Sequence, residues 1–174
     1  MDIFYHALTV PLGCFTIACS QDGVERILLG TDQAQPFTAL LRKYFPEAAL
    51  FDAQEISCSP ACCAQALTEL QQYFAGTRQD FTVPLVLRGT PFQQRVWQIV
   101  RTIPYGLTMT YGEIATSLGN PNLSRAVGLA NGANPLPIII PCHRVIGKQG
   151  KLVGYGGGLA MKRNLLQLEG AMLV

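Results

Sequence analysis

Two helix-capping sequences in the second half of the chain restrict its fold more than any other feature. Thr90-Pro91-Phe92-Gln93 and Thr110-Tyr111-Gly112-Glu113 each place a threonine three residues before a glutamine or a glutamate. In such a capping box the threonine hydroxyl binds the backbone of the third helical residue, whose side chain binds back. Each sequence therefore predicts the start of a helix, and a proline suits the first position of the earlier one.

Two further helices are expected after these. Asn120-Pro121 can begin a helix through "NLSRAVGLANGA", and "LAMKRNLLQLEG" predicts a last helix that Gly170 ends. The second half of the chain is therefore expected to consist of helices joined by short loops.

The first half has a different pattern. Residues 3–30 predict strands, with Asp22-Gly23 as the turn of a hairpin between "FTIACS" and "VERILLG". "TALLRKYF" and "SPACCAQALTELQQYFAG" predict helices, the second starting at Ser59 with Pro60 in its first turn and Gly76 after its end. A mixed α/β arrangement follows for this half.

The segment "TRQDFTVPLVLRG", which contains Pro84, predicts an extended connector and a domain boundary. We expect an N-terminal α/β domain over residues 1–86 and a C-terminal domain over residues 87–174. The first carries four basic and nine acidic side chains, a balance of −5, and the second carries nine basic and two acidic, a balance of +7. Such a division indicates a polyanion partner for the basic half, although small samples of charge also fluctuate.

Composition favours a soluble intracellular protein. Hydrophobic residues make up 49% of the chain and charged residues 14%, which is enough to fill a core and argues against disorder. No apolar run is long enough for a membrane span, and the start "MDIFYHALTV" lacks the features of a signal peptide. The six cysteines are therefore expected to be reduced.

The segment "IIIPCHRVIG" places a thiol beside an imidazole after an apolar run. Cys142 follows Pro141, and an adjacent His143 imidazolium could lower the pKa of the thiol and generate the nucleophilic thiolate. A buried structural cysteine is the alternative, which the Pro-Cys-His-Arg setting disfavours. The remaining cysteines lack such a setting and are expected to be buried or partly exposed thiols: Cys14, Cys19, Cys58, Cys62 and Cys63.

Two short predicted helices in "YGEIATSLGNPNLSRAVGLA" suggest a helix-turn-helix. Gly128 would cost its helix roughly 1 kcal/mol relative to alanine, so close approach to another surface should offset it. That surface could be a neighbouring helix or a narrow DNA groove into which Arg125 projects. The predicted fold class is thus α/β, with a small mixed α/β N-terminal domain and a mainly helical C-terminal domain containing a helix-turn-helix.

Three other features of the second half bear on function, and two of them leave alternatives open. Glu169 near the end of the last helix opposes the helix dipole, so it is either a surface residue or a fixed acceptor for an imidazole. Asn134 in "NGANPLP" can tie a turn together through its side chain. "GYGGGLAMK", which places three glycines after Tyr155, is either a flexible loop with a core tyrosine or a segment that lets the backbone approach a ligand.

The stretches "NPLPIIIPCHRVIG" and "GYGGGLAMKRNLLQLEG" strongly resemble the O6-alkylguanine-DNA alkyltransferases, also called methylated-DNA–protein-cysteine methyltransferases. The resemblance extends through "TPFQQRVW", "IPYGLTMTYGEIA" and "SRAVGLANGANP", and therefore covers residues 90–170. It implies single-turnover transfer of an alkyl group to Cys142. His143 would act as base through water, Glu169 would orient it, Asn134 would brace the turn, and Tyr111 would help protonate the departing guanine.

The same resemblance implies how DNA is bound. Double-stranded DNA carrying O6-alkylguanine would be the partner, with O4-alkylthymine as an open second substrate. The predicted helix that contains Arg125 and Gly128 would enter the minor groove, and Arg125 would replace an extruded base. The carbonyls of Cys142 and Val145 would accept from the guanine amino group, the Gly156 N–H would bond its oxygen, and Tyr155 would wall the pocket. The other candidate contacts with DNA or base are Ala126, Gly128, Asn120 and Gly157.

The resemblance further implies a monomer acting on DNA in the cytoplasm, with no cofactor and no obligate protein partner. Some members hold zinc in the N-terminal domain, but only Cys19 matches that pattern, so no metal is expected. Gly156 stands where some members have serine or alanine, which could admit bulkier alkyl groups. Three other hypotheses are a lesion sensor without chemistry, which Cys142 argues against, a cysteine hydrolase and a DNA-binding regulator.

Overall fold

A four-stranded mixed sheet organises the first of two units, Met1–Val86 and Leu87–Val174. The computed structural model describes residues 1–30, 37–55 and 59–171. The strands run in the spatial order β3-β2-β1-β4 and are β1 (Asp2–Val10), β2 (Gly13–Ser20), β3 (Gly23–Leu29) and β4 (Ala49–Asp52). β1 and β3 are each antiparallel to β2, which confirms the predicted hairpin, whereas β4 is parallel to β1 and was not predicted.

Two helices accompany this sheet. The short helix α1 (Phe37–Arg42) places Leu41 against Ile3 and Ala18 in a buried cluster, and α2 (Ala61–Phe74) contacts β1, β2 and β3. The predicted start of α2 at Ser59 was wrong. Pro60 is extended, with ψ of 140°, so that it precedes the first turn instead of lying within it.

The connector that joins the two units is extended, as predicted, and its first part belongs to the sheet unit. The Val24 N–H donates to the Pro84 carbonyl at 2.9 Å, and the Val86 N–H donates to the Val24 carbonyl at 2.9 Å. A Cβ on Gly23 would lie 2.5 Å from the Pro84 oxygen, so only glycine allows this approach. The glycine of the hairpin turn therefore also admits the connector.

The second unit is mainly helical. Both predicted capping boxes are present, at Thr90 and Thr110. The predicted helix from Asn120-Pro121 is instead divided into a 3-10 turn and a helix that starts at Ser124, because the Asn120 side chain accepts the Asn122 N–H at 3.0 Å and tightens the first turn. The α-helices are α3 (Pro91–Arg101), α4 (Tyr111–Ser117), α5 (Ser124–Gly132) and α6 (Gly158–Leu168).

Two contacts fix the position of α5 and of the segment after it. The Trp97 indole, 1% exposed, donates to the Ala130 carbonyl at 2.8 Å and so fastens α5 to α3. β5 (Met109–Thr110) pairs in parallel with β6 (Val145–Ile146), which brings the start of α4 beside the Pro-Cys-His-Arg segment. Within the described parts of the chain, no helix has the length and apolar character needed to cross a membrane.

Candidate active site

The backbone around Cys142 has an unusual conformation. The Cys142 N–H donates to the Ile140 carbonyl at 2.7 Å across Pro141, whose φ of −78° and ψ of 64° define an inverse γ-turn. A 3-10 turn over Cys142–Arg144 follows. Ile138, 1% exposed, has a φ of 77°, which costs a β-branched residue on the order of 1–3 kcal/mol. The surrounding contacts must therefore hold this loop in place.

Two asparagines hold the loop against the end of α5. The Asn134 side chain donates to the Ile140 carbonyl at 2.8 Å and accepts the Leu136 N–H at 2.9 Å, which is the bracing expected of it. Asn131, buried on α5, donates to the Cys142 carbonyl at 3.2 Å. Sequence reasoning missed Asn131, and its signal was a polar residue on the buried stripe of a short helix.

Glu169 accepts hydrogen bonds from two neighbouring residues of the loop. His143 Nε2 lies 2.8 Å from Glu169 Oε1. The Arg144 guanidinium donates to both carboxylate oxygens at 2.9 Å and to the Ile103 carbonyl at 2.6 Å. All three charged or polar side chains are buried. The cation explains how a carboxylate can sit at the unfavourable end of α6, and it was also missed from the sequence.

The turn "IPYG" holds Glu169 from another side. The Gly106 N–H donates to Glu169 Oε2 at 3.3 Å, and the Tyr105 hydroxyl donates to the Leu168 carbonyl at 3.0 Å. Gly106 has a φ of +76°, and a Cβ there would lie 2.8 Å from the Glu169 carbonyl oxygen. The carboxylate is therefore fixed by both its hydrogen bonds and its packing.

The charge states differ from the sequence expectation. Burial lowers the pKa of His143, against the opposing effect of Glu169, so the imidazole is neutral at pH 7. Burial also raises the pKa of Cys142 to about 11, so only about one thiol in 10⁴ is ionised at pH 7. The expectation that an imidazolium lowers the thiol pKa was wrong, because both groups are out of water. Ionisation requires a base.

His143 can be that base. Its Nε2 faces the carboxylate, so the proton resides on Nε2 and Nδ1 carries the lone pair. Nδ1 is buried and has no hydrogen-bond partner among the described residues. An unpaired buried acceptor is costly unless a water or a ligand binds it. Water between Nδ1 and the Cys142 thiol would meet that need.

Lys162, fully buried on α6, is a third residue that the sequence did not reveal. Its ammonium donates to the carbonyls of Val145 at 2.6 Å and Val153 at 2.9 Å, and burial lowers its pKa to about 8. It therefore joins the loop after Cys142 to the segment before the glycine run. Two signals were available, a lysine three and four positions before Leu165 and Leu166 in the predicted last helix, and a helix that begins at three glycines.

The two candidate tyrosines lie near the thiol. Tyr111 is the first residue of α4, and its hydroxyl lies 3.5 Å from the Val153 carbonyl. Burial raises its pKa, and it raises that of Tyr155 well above the ordinary value. The Tyr155 ring meets the His143 ring edge-on at 6.5 Å between centroids. Both phenols therefore keep their protons at neutral pH and can act as donors.

The remaining candidates lie in three places. Arg125 is exposed on α5, with Ala126 and Gly128 half-buried beside it. Gly156 and Gly157 directly precede α6. Asn120 uses its amide oxygen in the turn before α5. The structure thus brings Cys142, His143, Glu169 and Asn134 together around the thiol loop, with His143 bonded to Glu169 and Asn134 bonded to the Ile140 carbonyl. It leaves Arg125 and Asn120 on the surface.

The other cysteines that the structure describes lie in the sheet unit. In the sheet unit, Cys19 lies within hydrogen-bonding reach of Cys62 and Cys63, and all three are buried free thiols. Cys14 is half-buried in β2, and Cys58 lies outside the described residues. Over residues 1–30, 37–55 and 59–171, no three histidine, cysteine or acidic side chains are grouped as ligands for a metal.

Comparisons place both units in one family. Residues 3–87 match a family model described as 6-O-methylguanine DNA methyltransferase, ribonuclease-like domain, and residues 91–171 match the DNA binding domain of the same description. The constitutive methylated-DNA–protein-cysteine methyltransferase of Bacillus subtilis is 40% identical over 167 residues, covering 95% of this chain and 94% of its own. A Mycobacterium tuberculosis protein of that name is 60% identical over 110 residues, covering 63% and 67%.

Solved structures agree. The crystal structure of Mycobacterium tuberculosis O6-methylguanine methyltransferase gives a TM-score of 0.78 at 43% identity, covering 97% of this chain and 93% of that one. A crystal structure of Mycobacterium tuberculosis OGT in complex with DNA gives the same score and identity over 95% and 92%. The two domains and the buried thiol site define a DNA methyltransferase of the cysteine type. The chain belongs to the methylated-DNA–protein-cysteine methyltransferase family.

Proposed function

We propose that this protein repairs O6-alkylguanine in duplex DNA by moving the alkyl group irreversibly to its own Cys142. The observation that carries the proposal is the unpartnered Nδ1 of His143, a buried base whose other nitrogen is fixed by Glu169. A thiol with a pKa of about 11 needs such a base to react at pH 7. One molecule would repair one lesion, as a monomer in the cytoplasm, without a cofactor or an obligate protein partner.

In the proposed reaction the Cys142 sulfur attacks the alkyl carbon in line with the guanine oxygen. The thiol proton passes through water to His143 Nδ1, and the Glu169 carboxylate stabilises the imidazolium. A carbon–sulfur bond forms as the carbon–oxygen bond breaks, and the guanine leaves with its bonding pair. Tyr111 supplies a proton to the departing base. The thioether product is stable because the site offers no group that could cleave it.

The base must leave the duplex for this reaction. Cys142 is only 6% exposed, and a stacked base hides its alkyl carbon, so the nucleotide has to be extruded into the domain. We propose that α4 and α5 act as a helix-turn-helix whose second helix enters the minor groove. Arg125 would then occupy the vacated stack. The complex of the Mycobacterium tuberculosis relative with DNA supports this role for the unit.

The proposed guanine pocket uses backbone groups that already have one partner. The Cys142 carbonyl accepts from Asn131, and the Val145 carbonyl accepts from Lys162. Each carbonyl oxygen has two lone pairs, so the guanine amino group could add a second hydrogen bond at each. The Gly156 N–H would bond the guanine oxygen, and Tyr155 would cover the ring.

The test is the intact mass of the protein after mixing with a duplex that carries one O6-methylguanine. We expect one methyl group per chain, located on Cys142 by digestion, in wild type and in the matched control Cys14→Ala. Cys142→Ala should gain no mass. Binding without any mass gain would favour the lesion-sensor alternative, and catalytic turnover of an acyl substrate would favour the hydrolase alternative.

A pH profile tests the role of His143. The transfer rate from free O6-benzylguanine should be constant between about pH 6.5 and 8 and should fall at lower pH, where His143 takes up a proton and ceases to be a base. His143→Gln should react on the order of 10²–10⁴ times more slowly at pH 7. Its rate should rise about tenfold per pH unit toward the thiol pKa of about 11.

His6→Gln is the control for this profile, because His6 is the other histidine of the chain and lies in the sheet unit. It should leave the profile unchanged. A His143→Gln profile that keeps the wild-type fall at acid pH would show that another group is the base.

Gly128→Ala separates the two reasons for a glycine inside α5. Of the described residues, an added Cβ would meet only the Tyr111 ring, at 3.8 and 3.9 Å, so internal packing does not require glycine. We expect the variant to be up to about 1 kcal/mol more stable to urea, because alanine favours a helix. Affinity for duplex DNA should nevertheless fall several-fold in fluorescence anisotropy. Unchanged affinity would contradict close approach of this helix to the groove.

Gly156→Ser tests whether the small residue widens the substrate range. Among the described residues, a Cβ at Gly156 would have no heavy atom within 4 Å, so the fold should tolerate serine, with a change in stability within about 0.5 kcal/mol. The rate with O6-benzylguanine should fall more than the rate with O6-methylguanine, as measured by competition between the two. Equal tolerance of benzylguanine in both proteins would refute the idea.

A further inference from the structure

The exposed face of α5 carries one large apolar side chain among small residues. Leu129 is 74% exposed, one helical turn after the exposed Arg125. Around it the helix offers the small residues Ala126, Gly128 and Gly132. A helix face on which Leu129 and Arg125 protrude among small residues has the shape of a surface that inserts into a narrow groove.

Packing within the protein does not account for this pattern. Within the part of the chain that the structure describes, a Cβ on Gly132 would have no neighbour within 4 Å, and one on Gly128 would make only ordinary contacts. Single exposed leucines are common on protein surfaces and need no explanation alone. Here, however, the neighbouring positions hold small residues although larger ones would fit. The protrusion of Leu129 from an otherwise flat helix surface therefore needs a cause outside the folded chain.

We propose that Leu129 is an apolar wedge that enters the minor groove together with Arg125 and packs against sugars and base edges beside the extruded nucleotide. The inference rests on the proposed function, since it assumes that α5 meets duplex DNA. Charge also favours DNA as the partner, because this unit carries a balance of +7 and Arg125 lies on the same face as Leu129. Minor-groove proteins use leucine in this way to unstack neighbouring bases.

The spacing suits the assignment. Side chains four residues apart on a helix have Cβ atoms about 5–6 Å apart, whereas successive bases of one strand rise by about 3.4 Å. Arg125 and Leu129 can therefore reach positions one to two base steps apart. Arg125 would take the place of the lost base, and Leu129 would hold open the adjacent step. Leu129 would then lower the barrier to extrusion without touching the chemistry at Cys142.

Two substrates distinguish this role from damage to the site. We expect Leu129→Ala to react at least about tenfold more slowly with duplex O6-methylguanine, and at the wild-type rate with free O6-benzylguanine, which needs no groove. Leu107→Ala is the matched control, because Leu107 is 57% exposed in the same unit but lies outside α5. It should match wild type with both substrates.

Salt dependence gives a second readout. An apolar wedge releases no counterions, so Leu129→Ala should weaken duplex binding with an unchanged slope of log affinity against log salt, whereas Arg125→Ala should reduce the slope. A wild-type rate of Leu129→Ala on the duplex, or an equal loss on the free base, would overturn the proposal. Failure of the wild type with both substrates would instead refute the proposed function, so the two failures are distinguishable.

Discussion

Arg144→Met should lower the free energy of unfolding by about 3–5 kcal/mol, because it leaves the buried Glu169 carboxylate without its cation. The guanidinium donates to both carboxylate oxygens and to the Ile103 carbonyl, and methionine replaces none of these bonds. Urea unfolding of the two proteins measures the difference. Arg101→Met removes an exposed arginine from the same unit and should change stability by less than about 0.5 kcal/mol.

The same variant should change the pH dependence of alkyl transfer. Arg144 lowers the pKa of His143, whereas Glu169 raises it, so removal of the cation raises the pKa of the imidazole. His143 would then be protonated at a higher pH, and the fall of the rate at acid pH should begin nearer neutrality. A loss of stability without any change in the pH at which the transfer rate falls would mean that Arg144 supports only the fold and does not affect the protonation of His143.

The pH dependence that His143 gives to the stability of the wild-type protein is opposite to that of a surface histidine paired with a carboxylate. Because the pKa of His143 is lower in the folded state, the unfolded chain binds more protons as pH falls below about 6.5. The contribution of His143 to the free energy of unfolding is therefore complete above about pH 6.5. It is lost as the pH falls toward the pKa that His143 has in the folded protein.

Gly106→Ala should destabilise the protein by about 3 kcal/mol and slow alkyl transfer. Its φ of +76° is unfavourable for alanine, and its Cβ would lie 2.8 Å from the Glu169 carbonyl oxygen, so the turn or the end of α6 must shift. That shift moves the carboxylate which fixes His143. Urea unfolding and the transfer rate from free O6-benzylguanine measure the two effects.

Gly119→Ala is the matched control, because Gly119 has a φ of +87° and a Cβ there would have no neighbour within 4 Å among the residues that the structure describes. It carries the backbone cost alone, about 1 kcal/mol, and should leave the transfer rate unchanged. Equal effects of the two substitutions on both stability and rate would show that the contact with Glu169 has no importance.

Local signals in the sequence predicted local structure well. The capping boxes at Thr90 and Thr110 and the hairpin at Asp22-Gly23 are present because their hydrogen bonds join residues a few positions apart. The strand Ala49–Asp52 was missed, since its pairing partner β1 lies far earlier in the sequence, with Asp2 opposite Ala49. The start of α2 was misplaced because Pro60 can precede a helix as easily as begin it.

The candidate site could be predicted only in part. The Pro-Cys-His-Arg segment pointed to Cys142 and His143, but the partners of Arg144 and Lys162 lie far along the chain or on backbone carbonyls. The ionisation of the Cys142 thiol also depends on burial, which the neighbouring residues in the sequence do not reveal. A histidine next to a cysteine suggested a charged imidazole, and the enclosed site holds a neutral one.

The order in which the chain is synthesised has a consequence for its reactivity. Glu169 follows Cys142 by 27 positions in the sequence, and the His143–Glu169 bond spans 26. When the ribosome has finished α5 and the thiol loop, the acceptor of the imidazole proton does not yet exist. On the proposed mechanism, the thiol loop of a nascent chain therefore lacks the partner that fixes His143 until Glu169 has been made, and we expect no alkyl transfer before α6 has folded.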